Sequence, residues 1–205
     1  MWGNVKNVRR NGIIIKKAME RRIIIVGSSD SVLEQKRGHE IDEFWQVVRC
    51  NRAPTVGYQE YVGSRTTERF VNPNFLRNEW GADTSPLQTH EINDCVITHW
   101  DNITPKDFYR HWNSSTTCRT IVGEWKIKLS HINIEVDNSH NATCGFQAIM
   151  EYLWMNPVIY GFDLEADHIF HHYWRKQKRN STYHKHDYEK RVLRELIERE
   201  YISVL

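Results

Sequence analysis

A strand-sized apolar run, Ile23-Ile24-Ile25-Val26, stands between the charged pair Arg21-Arg22 and Gly27, and it constrains the fold more than any other short stretch. Four aliphatic residues without alternation suit a strand buried on both faces. The polar turn that follows, Ser28-Ser29-Asp30-Ser31, supplies helix-capping side chains. Similar punctuation recurs along the chain. Phe44 to Cys50 reads as a second strand, Phe70-Val71 as a short third, and Glu91 to Trp100, through Cys95-Val96-Ile97-Thr98, as a fourth. Gly145 to Trp154 carries apolar residues at helical spacing, Pro157 ends it, and Val158 to Phe162 is again strand-like. From Asp187 to about Tyr201, one face of a terminal helix holds Val192, Leu193, Leu196 and Ile197. Strands alternating with helices predict an α/β/α sandwich with a mostly parallel sheet, in which ligands bind beyond the carboxyl ends of the strands.

At 205 residues the chain fits one domain, read as residues 22–205 behind a basic N-terminal segment, 1–21. A formal net charge of +2 gives no long-range field suited to nucleic acid. Arg9, Arg10, Lys16, Lys17, Arg21 and Arg22 suit peripheral contact with anionic lipid headgroups or with a phosphorylated acceptor; a solvated tail is the plainer reading. No apolar run approaches the ~20 residues of a transmembrane helix, so the chain reads as soluble. Between about Asp101 and Ser139 no period stands out, which predicts loops. Gly27 stands alone, so the glycine-rich dinucleotide fingerprint is absent. His168, His171, His172, His184 and His186, with Asp163, Asp167 and Asp187, are of the types that ligate zinc, but the cysteines show no paired zinc spacing.

The segment Val48-Arg49-Cys50-Asn51-Arg52-Ala53-Pro54, continuing through Val62-Gly63-Ser64-Arg65-Thr66-Thr67 to Pro73, resembles the large sialylmotif of glycosyltransferase family 29, the eukaryotic-type sialyltransferases. Three further matches follow in family order. Asn141-Ala142-Thr143-Cys144-Gly145, a helix, and Tyr160-Gly161-Phe162-Asp163 resemble the small motif; His171-His172-Tyr173-Trp174 resembles the third; His184 and Glu189 have the His-x-x-x-x-Glu spacing of the very small motif. The resemblance implies a Rossmann-like variant of the GT-A glycosyltransferase fold. It also implies an inverting, metal-independent transfer of sialic acid from CMP-sialic acid, with no cofactor. The partners implied are the nucleotide sugar and a glycan acceptor. Motifs that hold the nucleotide leave other CMP-activated keto-sugar acids, such as 3-deoxy-manno-octulosonic acid, open as donors. A module that binds nucleotide or glycan without catalysis is the alternative of another class.

The chemistry asks for imidazoles. Substitution at the ketal carbon of such a donor needs a base for the acceptor hydroxyl, and an unperturbed imidazole titrates near pH 6.5, close to working pH. Carried over residue by residue, His184 is that base and His172 the donor to the departing phosphate. His186 offers a second imidazole, but only His184 has the matching spacing to Glu189, which fixes the loop or caps a helix. Nucleotide contacts are expected from Ser28, Asn51, Thr143, Cys144, Gly145, Gly161 and His171. Hydroxyl and N–H groups at the start of a helix suit a phosphate. Ser28 stands where the family has asparagine, and Cys144 where it has a hydroxyl. Trp100 and Trp112 are the aromatic residues assigned to the acceptor side.

A disulfide joins the large and small motifs in the resembled enzymes, and alignment places Ile23 and Trp154 at its two positions. Losing both halves together suits a reducing compartment, where burial replaces the cross-link. Asn113, Asn141 and Asn180 open Asn-x-Ser/Thr tripeptides, but a glycan on Asn141 would block the phosphate loop. The expected location is the cytoplasm.

Overall fold

The structure, a computed structural model, describes residues 22–51, 53–71, 94–98, 117–121, 124–164, 170–178 and 184–205. In chain order the elements are β1 (Ile23–Val26), a 3-10 turn (Asp30–Glu34), α1 (Gly38–Asp42), β2 (Gln46–Cys50), α2 (Gln59–Val62), β3 (Glu68–Val71), β4 (Asp94–Thr98), β5 (Thr117–Ile121), α3 (Trp125–His131), α4 (Cys144–Glu151), a 3-10 turn (Leu153–Met155), β6 (Val158–Tyr160), β7 (Phe170–His172), β8 (Arg175–Lys178), α5 (His186–Glu198) and β9 (Ser203–Val204). Seven strands form one sheet in the order β5-β4-β3-β2-β1-β6-β9. Every pairing in it is parallel. The ribbon β7-β8 is separate and antiparallel.

Each residue of β1 is at most 1% exposed, because alternate side chains enter two different cores. Ile23 and Ile25 join Val48, Phe70 and Ile159 against Leu129 of α3, Phe146 and Ile149 of α4, and Val192 and Leu196 of α5. Ile24 and Val26 join Val47 against Val32, Ile41, Phe44 and Val62 on the other face. Burying each such side chain contributes about 1.5–3 kcal/mol, an upper range because a real unfolded chain already buries some of that surface. This is the α/β/α sandwich the alternation predicts.

From β1 the sheet grows outward to β5; the chain then returns to place β6 on the other flank of β1. That reversal is a topological switch point, and the crevice beyond its carboxyl edge is where such sheets bind ligands. The strands come very close there. Gly27 N donates to Tyr160 O at 2.7 Å, and Ser29 N to Gly161 O at 3.2 Å. A Cβ on Gly27 would sit 2.2 Å from Gly161 O. Gly161 itself has φ +73°, and its Cβ would meet Val32 Cγ1 at 2.4 Å.

Several expectations need correction. The stretch expected to be loops contains β5 and α3. The helix expected to run to Trp154 stops at Glu151, where Lys128 Nζ bonds Met150 O (2.9 Å) and Glu151 O (3.1 Å) and so caps its last turn. Ile23 is buried as expected of a former disulfide position, whereas Trp154 is 52% exposed and lies edge-on to Tyr201. Burial thus replaces only one half of that pair. The basic segment 1–21, Trp100, Trp112, Asn113, Asn180, His168 and Asp167 lie outside the described residues.

Gly161→Ala is expected to cost about 2–4 kcal/mol, since a left-handed backbone and a steric collision act together. Gly57 also has a positive φ, +84°, but a Cβ there meets nothing within 4 Å. Gly57→Ala should therefore cost only about 1–2 kcal/mol, the backbone part alone. Urea midpoints of the two variants, with unchanged slopes, check the difference.

Candidate active site

The first motif is held by two arginines. Arg49, fully buried on β2, donates through Nη2 to Val62 O (2.6 Å) and Arg65 O (2.8 Å), and through Nε to Thr66 Oγ1 (3.0 Å). It ties the 62–66 loop to the strand. Arg69 Nη1 donates to Asn51 O (2.6 Å) and Ala53 O (3.2 Å), while Asn51 N donates to Phe70 O (2.7 Å). Asn51 is left-handed, with φ 48°, a conformation asparagine tolerates better than most residues. Its identity therefore has a backbone reason as well as the expected ligand role.

The small motif closes against the same edge. A Cβ on Gly145 would lie 2.8 Å from Phe162 Cε1, so the bare α-carbon lets the ring beyond β6 cross the start of α4. The Cys144 thiol donates to Phe70 O at 3.1 Å, beside Asn51, so the replacement for the usual hydroxyl bonds the sheet edge. Ser29 Oγ caps the first 3-10 turn by accepting from Ser31 N (3.1 Å), and its hydroxyl donates to the Asp163 carboxylate across the switch point.

Thr143 is the N-cap of α4, accepting from Phe146 N at 3.1 Å. Its N–H and hydroxyl are taken by Glu189 from α5. Thr143 N donates to Glu189 Oε1 (2.6 Å) and its hydroxyl to Oε2 (2.7 Å). The side chain expected to meet a phosphate thus already holds a carboxylate. What the helix start offers an anion is the positive end of its dipole, at Cys144 and Gly145.

The very small motif clamps this loop along its length. His184 Nδ1 lies 2.7 Å from Asn141 O, and since a carbonyl only accepts, Nδ1 carries a proton, so the neutral ring has its basic lone pair on Nε2. Lys185 Nζ bonds Asp137 Oδ2 and Ser139 Oγ, each at 2.6 Å; with the Ser139 contacts these bonds hold the Asp137 carboxyl well below the usual carboxylate range. Tyr188 donates to Glu135 O (3.0 Å) and accepts from Asp137 N (3.2 Å). His186 lies beside His184, ring centroids 5.9 Å apart.

The third motif reaches the site through its tyrosine. His172 pairs with Arg175 across the two-residue turn Tyr173-Trp174. Within that turn Tyr173 N donates to Ser28 O (2.9 Å) and its hydroxyl to Pro54 O, bridging the ends of β1 and the first motif. The His172 ring stacks on Trp174, centroids 4.4 Å apart and 14° from parallel. His171 is placed by its backbone in β7. Ser28, Asn51, Cys144 and Gly161 lie at or against the carboxyl ends of β1, β2, β3 and β6, and Tyr173 ties the His171–His172 strand to Ser28. Among the described residues no group of three or more His, Cys, Asp or Glu side chains is placed to hold a metal ion.

One residue of this cluster escaped the sequence reading. His140, with a fully buried side chain, bonds Glu189 Oε1 through Nε2 at 2.9 Å. Its only sequence signal is its place three residues before Thr143.

The fold is that of a Rossmann-like α/β protein whose strand order reverses between β1 and β6. Residues 8–98 match the family model described as glycosyltransferase family 29 (sialyltransferase). The chain is 28% identical over 163 residues to CMP-N-acetylneuraminate-beta-galactosamide-alpha-2,3-sialyltransferase 1 of Gallus gallus, covering 75% of this chain and 47% of that protein. For the Homo sapiens protein of that name the identity is 29% over 191 residues, 84% of this chain and 54% of the relative. The chain thus spans about half the length of these curated relatives. A crystal structure of a mammalian sialyltransferase in complex with Gal-beta-1-3GalNAc-ortho-nitrophenol has the same fold, with TM-score 0.61 and 21% identity over 99% of this chain and 74% of that one. So does CstII from Campylobacter jejuni in complex with a substrate analogue, cytidine-5'-monophosphate, at TM-score 0.54 and 16% identity over 90% and 79% of the two chains. Over residues 8–98 the chain thus resembles glycosyltransferase family 29, and its fold is that of solved sialyltransferases.

Burial pushes the Tyr173 phenol up to about 12. An unfolded tyrosine ionises near 10, so between about pH 10 and 12 only the folded state keeps this proton, and stability falls as pH rises through that window. The expected slope from this group is about 1.4 kcal/mol per pH unit. Tyr173→Phe should remove that much of the alkaline slope, while losing about 1 kcal/mol at neutral pH with the Pro54 bond. Urea unfolding between pH 8 and 11 checks both signs.

Proposed function

We propose that this chain carries the activity of an inverting sialyltransferase, moving sialic acid from CMP-sialic acid to a hydroxyl of a glycan acceptor. The observation that carries the reading is the His184 Nδ1 bond to Asn141 O at 2.7 Å, which leaves Nε2 as a base beside the start of α4. In the proposed step Nε2 takes the proton of the acceptor hydroxyl as its oxygen bonds the ketal carbon. On the opposite face the bond from that carbon to the phosphate oxygen breaks, and cytidine monophosphate leaves with the electron pair. His172, mounted beside Ser28 and stacked on Trp174, donates to the departing phosphate, and the start of α4 adds the positive end of its dipole. No step calls for a metal ion. Because these contacts all concern base and nucleotide, another CMP-activated keto-sugar acid is the alternative donor. For location we propose the cytoplasm, a reading supported by Ile23 filling the core where the related enzymes have a cysteine.

Turnover of CMP-sialic acid with a galactoside acceptor tests the reading, with His184→Ala and His186→Ala assayed beside wild type in the presence of a chelator. His184→Ala should lower kcat by about 10²- to 10⁴-fold, the range for losing a general base, while His186→Ala stays within about threefold. Undiminished activity in His184→Ala overturns the assignment. Cytidine monophosphate binding without turnover in wild type would establish the non-catalytic alternative instead.

A further inference from the structure

A histidine is a costly occupant for the place where His140 sits. Trp125, Phe146 and Tyr188 surround its ring at centroid distances of 5.6, 6.0 and 4.9 Å, and the side chain is wholly removed from solvent. Nδ1 has no hydrogen-bond partner there. A phenylalanine would fill the same aromatic cage without stripping water from two ring nitrogens, a penalty that must be matched by what the polar edge achieves. That edge has one contact, the 2.9 Å bond to Glu189 Oε1. A carboxylate only accepts, so Nε2 carries the proton and Nδ1 is left as a bare lone pair, the less costly group to bury alone.

The same Glu189 oxygen also accepts from Thr143 N at 2.6 Å, and its twin from Thr143 Oγ1 at 2.7 Å. Three donors from two residues of one loop therefore fix the carboxylate's position and its rotation. A single residue, Ala142, separates Thr143 from Asn141, whose carbonyl holds the base. Turning the 141–143 backbone would turn the acceptor that orients His184.

We infer that His140 is a positioning residue of this site: by donating to Glu189 it locks the 141–143 loop and so fixes the aim of the His184 imidazole. The inference builds on the reading of His184 as the base. It assigns the residue no contact with substrate.

The test compares His140→Phe, which fills the cage without the N–H, with His140→Gln, whose side-chain amide offers a donor in place of Nε2. With CMP-sialic acid as donor, His140→Phe is expected to lose about 10- to 100-fold in kcat, the size of effect a small misplacement produces, with KM for the donor changed less than about threefold. His140→Gln is expected to recover kcat to within about threefold of wild type. A second readout does not need turnover. In histidine-labelled protein the His184 Nδ1–H resonance, assigned by its loss in His184→Ala, should exchange with water at least about tenfold faster in His140→Phe than in wild type or His140→Gln. Wild-type exchange and kcat in His140→Phe would overturn the inference, and so would equal losses of kcat and thermal stability in both variants, which mark a purely structural role. Should the wild-type chain fail to turn over CMP-sialic acid, the functional reading falls while the exchange comparison still decides the role of His140.

Discussion

The Glu189 carboxylate, set against the N-cap of a helix other than its own, is the interaction on which the rest of the site depends. It joins α5 to α4 through Thr143 and to the loop leading into α4 through His140. A carboxylate only 9% exposed is tolerable because three donors replace the water it has lost, and because it sits near the positive ends of both α4 and α5. Its position also decides what a bound phosphate can use. Part of the anion-binding capacity of α4 is already taken, so a ligand there competes with a fixed negative charge and must approach over Cys144 and Gly145.

The segments that carry His184 and His172 are anchored by different routes. His184 is mounted on the small-motif loop through Asn141, whereas His172 is carried by a two-residue turn that Tyr173 nails to Ser28 and Pro54. Beneath both lies the contact of Gly27 with Gly161, possible only because Gly27 carries no Cβ, while Gly161 is left-handed and packed against Val32. Motifs far apart in sequence thus converge because the sheet reverses direction between β1 and β6 and each motif is bonded to that reversal.

Much of this was legible in the sequence, and the exceptions have physical causes. Ile23–Val26 announces a central strand because nothing but burial on both faces explains four aliphatic residues in a row. Ser29 and Thr143 announce caps by residue type. β5, Thr117–Ile121, was missed because an edge strand mixing threonine, cysteine and arginine carries no apolar period, and α3 is too short at seven residues to show one. β9, at two residues, is smaller than any pattern. Arg49 reads only as a motif residue, and the loop folded back over it reveals the three acceptors it serves. Glu189 was read as fixing a loop or capping a helix; it does both, but the helix is α4, a relation between residues 46 positions apart that no local spacing encodes. His140 is silent for the same reason, since its one polar partner lies 49 positions away.

The most direct measurement of the central claim is a double-mutant cycle on the clamp, with Thr143→Val, Glu189→Gln and the pair compared with wild type by urea unfolding. A charge-assisted bond between a buried carboxylate and this hydroxyl predicts a coupling of about 1–3 kcal/mol, so that the second substitution costs clearly less once the first is made. Additivity within about 0.5 kcal/mol would contradict the account, because the two side chains would then act independently and Glu189 would not be what holds the loop.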